Sequence, residues 1–340
     1  MPELTDILNA IVLVCNFLII PALSYGSQLA LGALAVTLVY AVLRFANFAQ
    51  GDTMAFATVV TILFTWLLQN YGISFGFMPT AILAMPIAIP ACIIYVLMID
   101  KFVYEYYRDQ NSKPITIVMA SVGVMFITGG IVRFVLGPFH QRFSDGQRFI
   151  ITARQFKEMT GLSEGLALKT SQFLTVIIAI ILVGFVFYFL QKTKTGKAMR
   201  AYSDNEDLAL LSGIEPKKVV RITWIFVAVL TTIAGLLYGL DKGFMAISYH
   251  HLLLPIFAAV IVGGIGSPIG AIAGGFVISF SELTLTYAYK KFLIYLLPES
   301  LEPDTLVQLL STEYKFAISF VILVIVLLLR PTGLFKGKII

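Results

Sequence analysis

The chain has 340 residues, of which 59% are hydrophobic and only 13% are charged. A soluble protein would carry roughly a quarter charged residues, and the apolar runs here reach the ~20 residues that cross a bilayer. The net charge of +5 is distributed over the short segments between these runs, which argues against nucleic-acid binding. The composition therefore predicts an all-α polytopic membrane protein with about eight or nine transmembrane helices.

The first half of the chain predicts five spans. They cover residues 7–24, 25–43, 53–69, 79–99 and 114–137. The first two would form a hairpin with Pro21 and Gly26 in its turn. A polar stretch, "RFANFAQGDT" (44–53), follows the second span. Composition favours a short cytoplasmic turn there, and the alternative is a helix break that lines a polar path.

The second half begins with the longest non-membrane stretch, 138–170, and contains a second polar loop, 191–221, predicted to form one or two short surface helices. Its spans are expected at 171–190, 222–240, 269–288 and 314–329. Residues 252–264 are apolar but too short to cross alone, and they end in the glycine-rich "GGIGSPIGAIAGG". Broken or half helices are therefore expected in this half as well.

The distribution of basic residues predicts the orientation. Seven Lys or Arg in 191–221 place that loop in the cytoplasm, which makes 138–170 extracytoplasmic. In this arrangement each half reads as an outward span, an inward segment, a polar break and an outward span. A parallel internal repeat is therefore a hypothesis, and it places the N-terminus in the cytoplasm.

Residues at the two breaks are the candidates for a pathway. In the first break Asn47, Gln50 and Asp52 can face a polar path. In the second, Gly263, Gly264 and Pro268 would supply the break, while a stripe of three glycines four residues apart would allow close helix packing: Gly266, Gly270 and Gly274. Glu282, inside the following span, is either a functional carboxylate or an interfacial ion pair.

Other polar residues favour structural roles. Arg133, near the end of a span, is expected to extend to the headgroups, and the histidines are expected on the outer surface: His140, His250 and His251. No metal site is predicted. The sequence contains no G-x-x-x-x-G-K-[ST] phosphate loop, H-E-x-x-H or G-x-S-x-G signature. We therefore expect no enzyme activity on this chain, and any ATP hydrolysis on another polypeptide.

Three segments resemble one family in the right order. The stretch "GSQLALGALAVTLVYAVLRFANFAQGD" resembles the N-terminal signature of permease subunits of branched-chain amino acid ABC importers, which usually ends in N-F-A-[HQ]-G-[DE]. The loop "TKTGKAMRAYSDNEDLALLSGIEPKKV" is similar to the family's cytoplasmic loop that docks on the ATP-binding subunit. The stretch "VGGIGSPIGAIAGGFVISFSE" is similar to the family's third landmark and includes Glu282.

The resemblance implies a type II-like importer permease, with 1–340 as a single transmembrane domain in the bacterial cytoplasmic (inner) membrane. It implies a second homologous permease, two cytoplasmic ATP-binding subunits that carry ATP and Mg, and a periplasmic or lipid-anchored binding protein. By matched position the docking loop includes Thr195, Gly196, Arg200, Ala201, Ala209 and Gly213, and the apolar Ile214 adjoins them. Asn47, Gly51, Asp52, Gly264, Gly266 and Gly270 belong to the landmarks that flank the pathway.

The expected function is alternating-access import of branched-chain or other neutral amino acids. A urea or short-amide permease of the same family is the nearer alternative. A proton-coupled secondary transporter is a further alternative, and it would need Glu282 as its titratable site. The long segment 138–170 and the insert 290–312 depart from the family pattern, and their contacts are not predicted.

Overall fold

The computed structural model describes residues 4–297, 303, 305 and 307–335. Within that part of the chain, nine helical segments are long and apolar enough to cross a membrane, as the sequence predicted. They cover Leu4–Leu43, Gln50–Asn70, Ala81–Asp109, Pro114–Leu136, Thr170–Lys192, Pro216–Lys242, Ala246–Gly263, Pro268–Thr286 and Thr312–Leu329.

The α-helices are numbered in chain order. Their bounds are α1 Leu4–Val14, α2 Ile20–Leu43, α3 Gln50–Asn70, α4 Ala81–Ile99, α5 Glu105–Asp109, α6 Pro114–Leu136, α7 Ala153–Thr160, α8 Thr170–Lys192, α9 Lys194–Asp204, α10 Glu206–Leu211, α11 Pro216–Lys242, α12 Ala246–His251, α13 Leu253–Gly263, α14 Pro268–Thr286, α15 Lys290–Leu296 and α16 Lys315–Leu329. Two short strands, β1 Phe149–Ile151 and β2 Leu168–Lys169, pair antiparallel.

The predicted hairpin at the start of the chain is wrong. A π-helical turn, Cys15–Ile19, joins α1 to α2, and the backbone stays helical on both sides of it. Pro21 lies just after this π-helical turn and has no backbone N–H to donate to the turn before it. Gly26 is a packing position rather than a turn: a Cβ there would lie 2.6 Å from the ring of Phe276.

The helix α2 forms the centre of the bundle. Nearly every residue between Ser24 and Val39 is buried, and α8, α11, α13 and α14 pack around the helix. Its sequence is apolar on all sides, as expected for a helix without a solvent face. On α14, Gly275 allows close approach, since a Cβ there would lie 2.7 Å from the backbone nitrogen of Ala30.

The contacts separate the two ends of the bundle. At one end Arg44 contacts the 191–221 loop through the carbonyl of Ser203, and Lys217 pairs with Glu105 at 2.9 Å. The segment 138–170 lies at the other end. The long helix α1–α2 runs from that end to the 191–221 end, so the predicted placement of the N-terminus beside 191–221 is wrong.

The structure contains only part of the parallel internal repeat that the sequence suggested. Each half contains a helix, a break and a second helix: α2 and α3 in the first, α13 and α14 in the second. The outward span predicted at 7–24 is the first part of the same continuous helix. The first half therefore has no separate counterpart of α11.

The two segments that depart from the family pattern contact each other and α1. Backbone N–H groups of 138–170 donate to two asparagine side chains of the first long helix, Glu164 to Asn9 at 3.1 Å and Ala167 to Asn16 at 3.0 Å. The hydroxyl of Tyr295, in α15, donates to Glu164 at 3.0 Å. Residues 298–302, 304 and 306 of the 290–312 insert, and residues 336–340 of the tail, lie outside the described residues.

Asp145 attaches the 138–170 segment to the N-terminus of α4. Its carboxylate accepts from the backbone N–H of Thr80 at 2.7 Å, from the Thr80 hydroxyl at 2.5 Å and from Gln69 at 2.9 Å. Burial would raise the pKa of this carboxyl, but the hydrogen bonds from Thr80 and Gln69 hold the pKa below its ordinary value. The negative charge also stabilises the positive end of the α4 dipole.

Asp145→Ala is expected to lower stability at neutral pH by about 0.5–2 kcal/mol, because the N-terminus of α4 loses its capping acceptor. The folded-state pKa lies below the unfolded value of about 3.9. The stabilisation is therefore complete above about pH 4 and is lost as the pH falls through the folded-state pKa. Thermal unfolding of the purified protein against pH would measure this, and a gap between variant and wild type that persists unchanged in acid would contradict it.

Candidate functional site

The first helix break, residues 44–49, begins at the exposed Arg44 and is buried or partly buried from Phe45 onward. Arg44 ends α2 in the left-handed conformation, with φ of 58°, and its guanidinium donates to the carbonyl of Ser203 in α9 at 2.6 Å. Asn47 and Gln50 are 4% and 0% exposed. A short turn between two helices is present at the 191–221 end, as composition favoured, but most of its residues are enclosed by protein. That the break lines a polar path stays a prediction.

Neighbouring helices satisfy the polar groups of this break. Asn47 Oδ1 accepts from the hydroxyl of Tyr104 at 3.2 Å, and the backbone N–H of Phe48 donates to Ser121 in α6 at 3.1 Å. Gln50 Nε2 donates to the hydroxyl of Thr231, in the middle of α11, at 2.8 Å. The helix α3 consequently begins inside the bundle, at the depth of the middle of α11.

Gln50 also borders a small cavity of about 10 Å³. Its Oε1 and the indole Nε1 of Trp224, on the cavity wall, are buried without hydrogen-bond partners among the described residues. An acceptor and a donor thus face a space of about one water molecule. One acceptor and one donor at the break are therefore left without a hydrogen-bond partner among the described residues.

Asp52, in the first turn of α3, forms a pair that the sequence analysis missed. Its Oδ2 lies 3.0 Å from Nδ1 of His250 in α12, and its side chain is 4% exposed. The prediction of His250 as a surface residue holds only in part: its side chain is 33% exposed, but α12 folds back against the start of α3 and brings it to a buried carboxylate. Gly51 permits this approach: a Cβ there would lie 2.6 Å from the carbonyl oxygen of Tyr249.

Asp52 also faces α6. A Cβ on Gly129 would lie 2.8 Å from Oδ1 of Asp52 and 4.0 Å from a guanidinium nitrogen of Arg133. Arg133, one turn further along α6, is exposed, and its positive charge attracts the Asp52 carboxylate. Its extension to the headgroups stays a prediction. A carboxylate inside a membrane protein was a signal that a cation should be sought nearby.

The second break, between α13 and α14, lies at the same end of the bundle as Arg44. Gly264 and Gly266 have φ of 110° and 83°, and Pro268 begins α14. Gly263 is a close-packing position rather than the source of the break, since a Cβ there would collide with Gly270. The tail covers this end, with the N–H of Leu334 donating to Val262 at 2.8 Å.

The predicted glycine stripe is only partly present. Gly270 and Gly274 do allow tight packing, against Gly263 and Ala259 of α13. Gly266 lies outside the helix and has no atom within 4 Å of its Cβ position, so its inclusion in the stripe is wrong.

Glu282 is fully buried and carries a set of fixed partners. Its carboxylate lies 3.5 Å from the ammonium of Lys315 and accepts from the hydroxyl of Ser319, both in α16. The Lys315 ammonium also stacks 3.7 Å from the ring centre of Tyr25. These contacts join α14, α16 and α2. Glu282 therefore forms an ion pair, which was one of the two roles that the sequence left open for this carboxylate.

The 191–221 loop forms two short helices, as predicted. Thr193 caps α9 through the N–H of Gly196 at 3.0 Å, and both Gly196 and Ala209 are buried against the bundle. The remaining candidates are exposed or partly exposed: Thr195, Arg200, Ala201, Gly213 and Ile214. Leu208 and Leu211 are 60% and 85% exposed. The loop thus presents an unpartnered apolar surface beside Arg200.

A larger cavity, of about 270 Å³, opens at the opposite end of the bundle. It lies between the 142–148 loop, the start of α8 and the end of α11. Its charged lining residues are Arg142, Asp145, Arg148, Lys169, Asp241 and Lys242. Among the described residues no group of three or more His, Cys, Asp or Glu is arranged to hold a metal ion.

Comparison with known proteins identifies the family. Residues 18–327 match the family model described as "Branched-chain amino acid transport system / permease component". The chain belongs to this family. It is 28% identical over 314 residues to the high-affinity branched-chain amino acid transport system permease protein LivH of Escherichia coli K12, covering 91% of each chain.

Two further relatives match over similar lengths. The probable branched-chain amino acid transport permease protein LivH of Methanocaldococcus jannaschii is 29% identical, with 92% of this chain and 90% of the relative covered. BraD of Pseudomonas aeruginosa is 24% identical, with 93% and 94% covered. The chain is therefore a multi-pass membrane permease of an ABC importer family.

Proposed function

We propose that this chain forms the pathway through which an ATP-driven importer moves branched-chain or other neutral amino acids by alternating access. The match of the family model to residues 18–327 carries the proposal, together with relatives whose names specify branched-chain amino acid transport. The first helix break contains the buried polar side chains Asn47 and Gln50, and transporters place substrate paths at helix breaks.

The chain would work in a complex. A second homologous permease would complete the pathway, and two cytoplasmic ATP-binding subunits would hold ATP and Mg. A periplasmic or lipid-anchored binding protein would deliver the substrate to the end of the bundle that carries 138–170. The nucleotide state can change the pathway only if the ATP-binding subunits contact the two conformations of the permease differently.

The exposed surface of α9 and α10 fits the contact with the ATP-binding subunits. An amphipathic helix that leaves leucines in water is a typical partner for a hydrophobic groove. Arg44 connects α9 to the first helix break through Ser203, so movement of the loop would reach the break directly. We therefore assign the 191–221 loop to docking.

Leu211→Asp is expected to reduce co-purification of the ATP-binding subunits at least about tenfold, because a charge replaces an interface side chain. Met159→Asp is the matched control, since Met159 is 82% exposed at the opposite end of the bundle. Pull-down of the complex from membranes would measure both. Equal recovery of ATP-binding subunits with the two variants would contradict the assignment.

Uptake into liposomes tests the function itself. The permease and its co-purifying partners would be reconstituted, and ATP-dependent uptake of labelled leucine measured with unlabelled alanine, glutamate and urea as competitors. We expect uptake to require ATP and to be blocked by neutral amino acids. A complex that carries urea and ignores leucine would overturn the substrate class while keeping the importer.

The proton-coupled alternative is not favoured. It needed Glu282 as a titratable site, and this carboxylate is occupied by Lys315 and Ser319. The urea alternative is not favoured by the family description or by the names of the relatives.

A further inference from the structure

Three charged or titratable side chains from three helices converge at membrane depth. Asp52 lies in the first turn of α3, His250 in α12 and Arg133 in α6, and each is inside a segment long and apolar enough to span a membrane. His250 contacts one oxygen of Asp52, while the other oxygen faces Gly129, and a guanidinium nitrogen of Arg133 lies 4.0 Å from the Cβ position of the same glycine. The cluster of Asp52, His250 and Arg133 is called the charged cluster below.

The charged cluster is open on one side. Asp52 is buried, but the His250 side chain is 33% exposed and Arg133 is exposed. Charged residues within membrane spans almost always face the bundle interior or a water-filled space, because lipid cannot solvate them. This face of the chain is therefore expected to border water or a partner rather than lipid.

The depth of the charged cluster follows from its neighbours. Gln50, two residues before Asp52, bonds to Thr231 in the middle of α11. The negative charge of Asp52 also lies at the positive end of the α3 dipole, where an anion is favoured. A buried carboxylate with a histidine partner and an arginine nearby thus lies within the apolar spans.

We propose that the charged cluster is the point in the pathway that receives the zwitterionic head of the transported amino acid. The Asp52 carboxylate would accept from the ammonium group, and Arg133 and His250 would donate to the carboxylate. The proposal rests on the proposed function and deepens it. A neutral substrate such as urea would have no need of fixed charges of both signs, whereas a zwitterion at this depth loses water that such groups replace.

The first test measures whether water reaches the face of the bundle that carries His250. His250→Cys would be made in the assembled complex after Cys15 and Cys92 are replaced by Ala, with a charged thiol reagent on both sides of the membrane during ATP turnover. Ile181→Cys is the matched control, because Ile181 is 66% exposed on α8. We expect modification at position 250 at least about tenfold faster than at 181, and slower with saturating leucine. Equal, slow rates at both positions would overturn the proposal.

The second test separates substrate contact from helix packing. Asp52→Asn and the exchange D52H/H250D would be compared with wild type for leucine uptake per ATP hydrolysed. In both variants the ratio of leucine uptake to ATP hydrolysis should fall at least about tenfold, the effect of one charge-assisted hydrogen bond. Normal uptake by Asp52→Asn, or recovery of uptake in the exchange, would show that the pair only joins two helices.

His250→Gln covers the case in which Asp52→Asn fails to assemble. Glutamine can still donate to Asp52 but lacks the second ring nitrogen that would donate to the substrate carboxylate, so we expect intact assembly and reduced uptake. Unchanged uptake would overturn the proposal. Wild-type uptake is the separate control for the proposed function: if wild type carries urea and not leucine, the substrate class is wrong regardless of how the variants behave.

Discussion

Lys315→Met is expected to destabilise the permease by about 3 kcal/mol, because it leaves the Glu282 carboxylate buried without its cation. Glu282 has 0% side-chain exposure, and Ser319 donates a hydrogen bond to the carboxylate oxygen that Lys315 does not pair with. The same substitution removes the cation that stacks on Tyr25. Chemical or thermal unfolding of the purified protein in detergent would measure the loss.

The double variant K315M/E282Q is the control. It removes both charges, and we expect most of the lost stability to return, together with amino acid uptake, since no carboxylate is then left unpaired. Lys157→Met, at an exposed position of α7, should be neutral. A double variant that is as unstable as Lys315→Met, or equal stability of the two single variants, would contradict this account of the buried pair.

Gly51→Val is expected to abolish transport and to lower the yield of folded protein severely. A Cβ at this position would lie 2.6 Å from the Tyr249 carbonyl oxygen, and that atom belongs to backbone, which cannot rotate away. Overpacking costs about 1–3 kcal/mol even where side chains can shift. The helix α12 would be displaced and His250 separated from Asp52.

Gly130→Val is the matched control. Gly130 lies in α6, in the middle of a span, and no atom lies within 4 Å of its Cβ position. We expect normal yield and normal ATP-dependent leucine uptake. Comparing the two variants by size-exclusion yield and by uptake would distinguish a local collision from a general intolerance of valine, and equal behaviour would contradict the proposed role of Gly51.

Hydropathy predicted the number of spans but not the start of the chain. Residues 7–43 have the length of two spans, and Pro21 with Gly26 suggested a turn. The structure uses both differently: a π-helical turn, Cys15–Ile19, precedes Pro21, and Gly26 receives the Phe276 ring. The sequence does not distinguish a glycine that allows a turn from a glycine that leaves room for a neighbouring side chain, because the difference lies in the tertiary contact.

The sequence identified the polar and glycine-rich stretches of the candidate site, but it did not identify the residues of other helices that contact them. The stretch 44–53 was recognised as polar, yet its burial depends on Tyr104, Ser121 and Thr231, which lie far away in the sequence. His250 was assigned to the surface because α12 follows the end of a span. Its return to Asp52 depends on backbone approach at Gly51, which no local pattern encodes.

The continuous first helix has a mechanical consequence. At 1.5 Å per residue its 40 residues extend for about 60 Å, roughly twice the hydrocarbon thickness of a bilayer. One part of it is bound to the 138–170 segment through Asn9 and Asn16, and Arg44 at its end is bound to α9. Because the backbone stays helical from one attachment to the other, a tilt of this helix at the 138–170 end is expected to displace Arg44 and α9 at the opposite end.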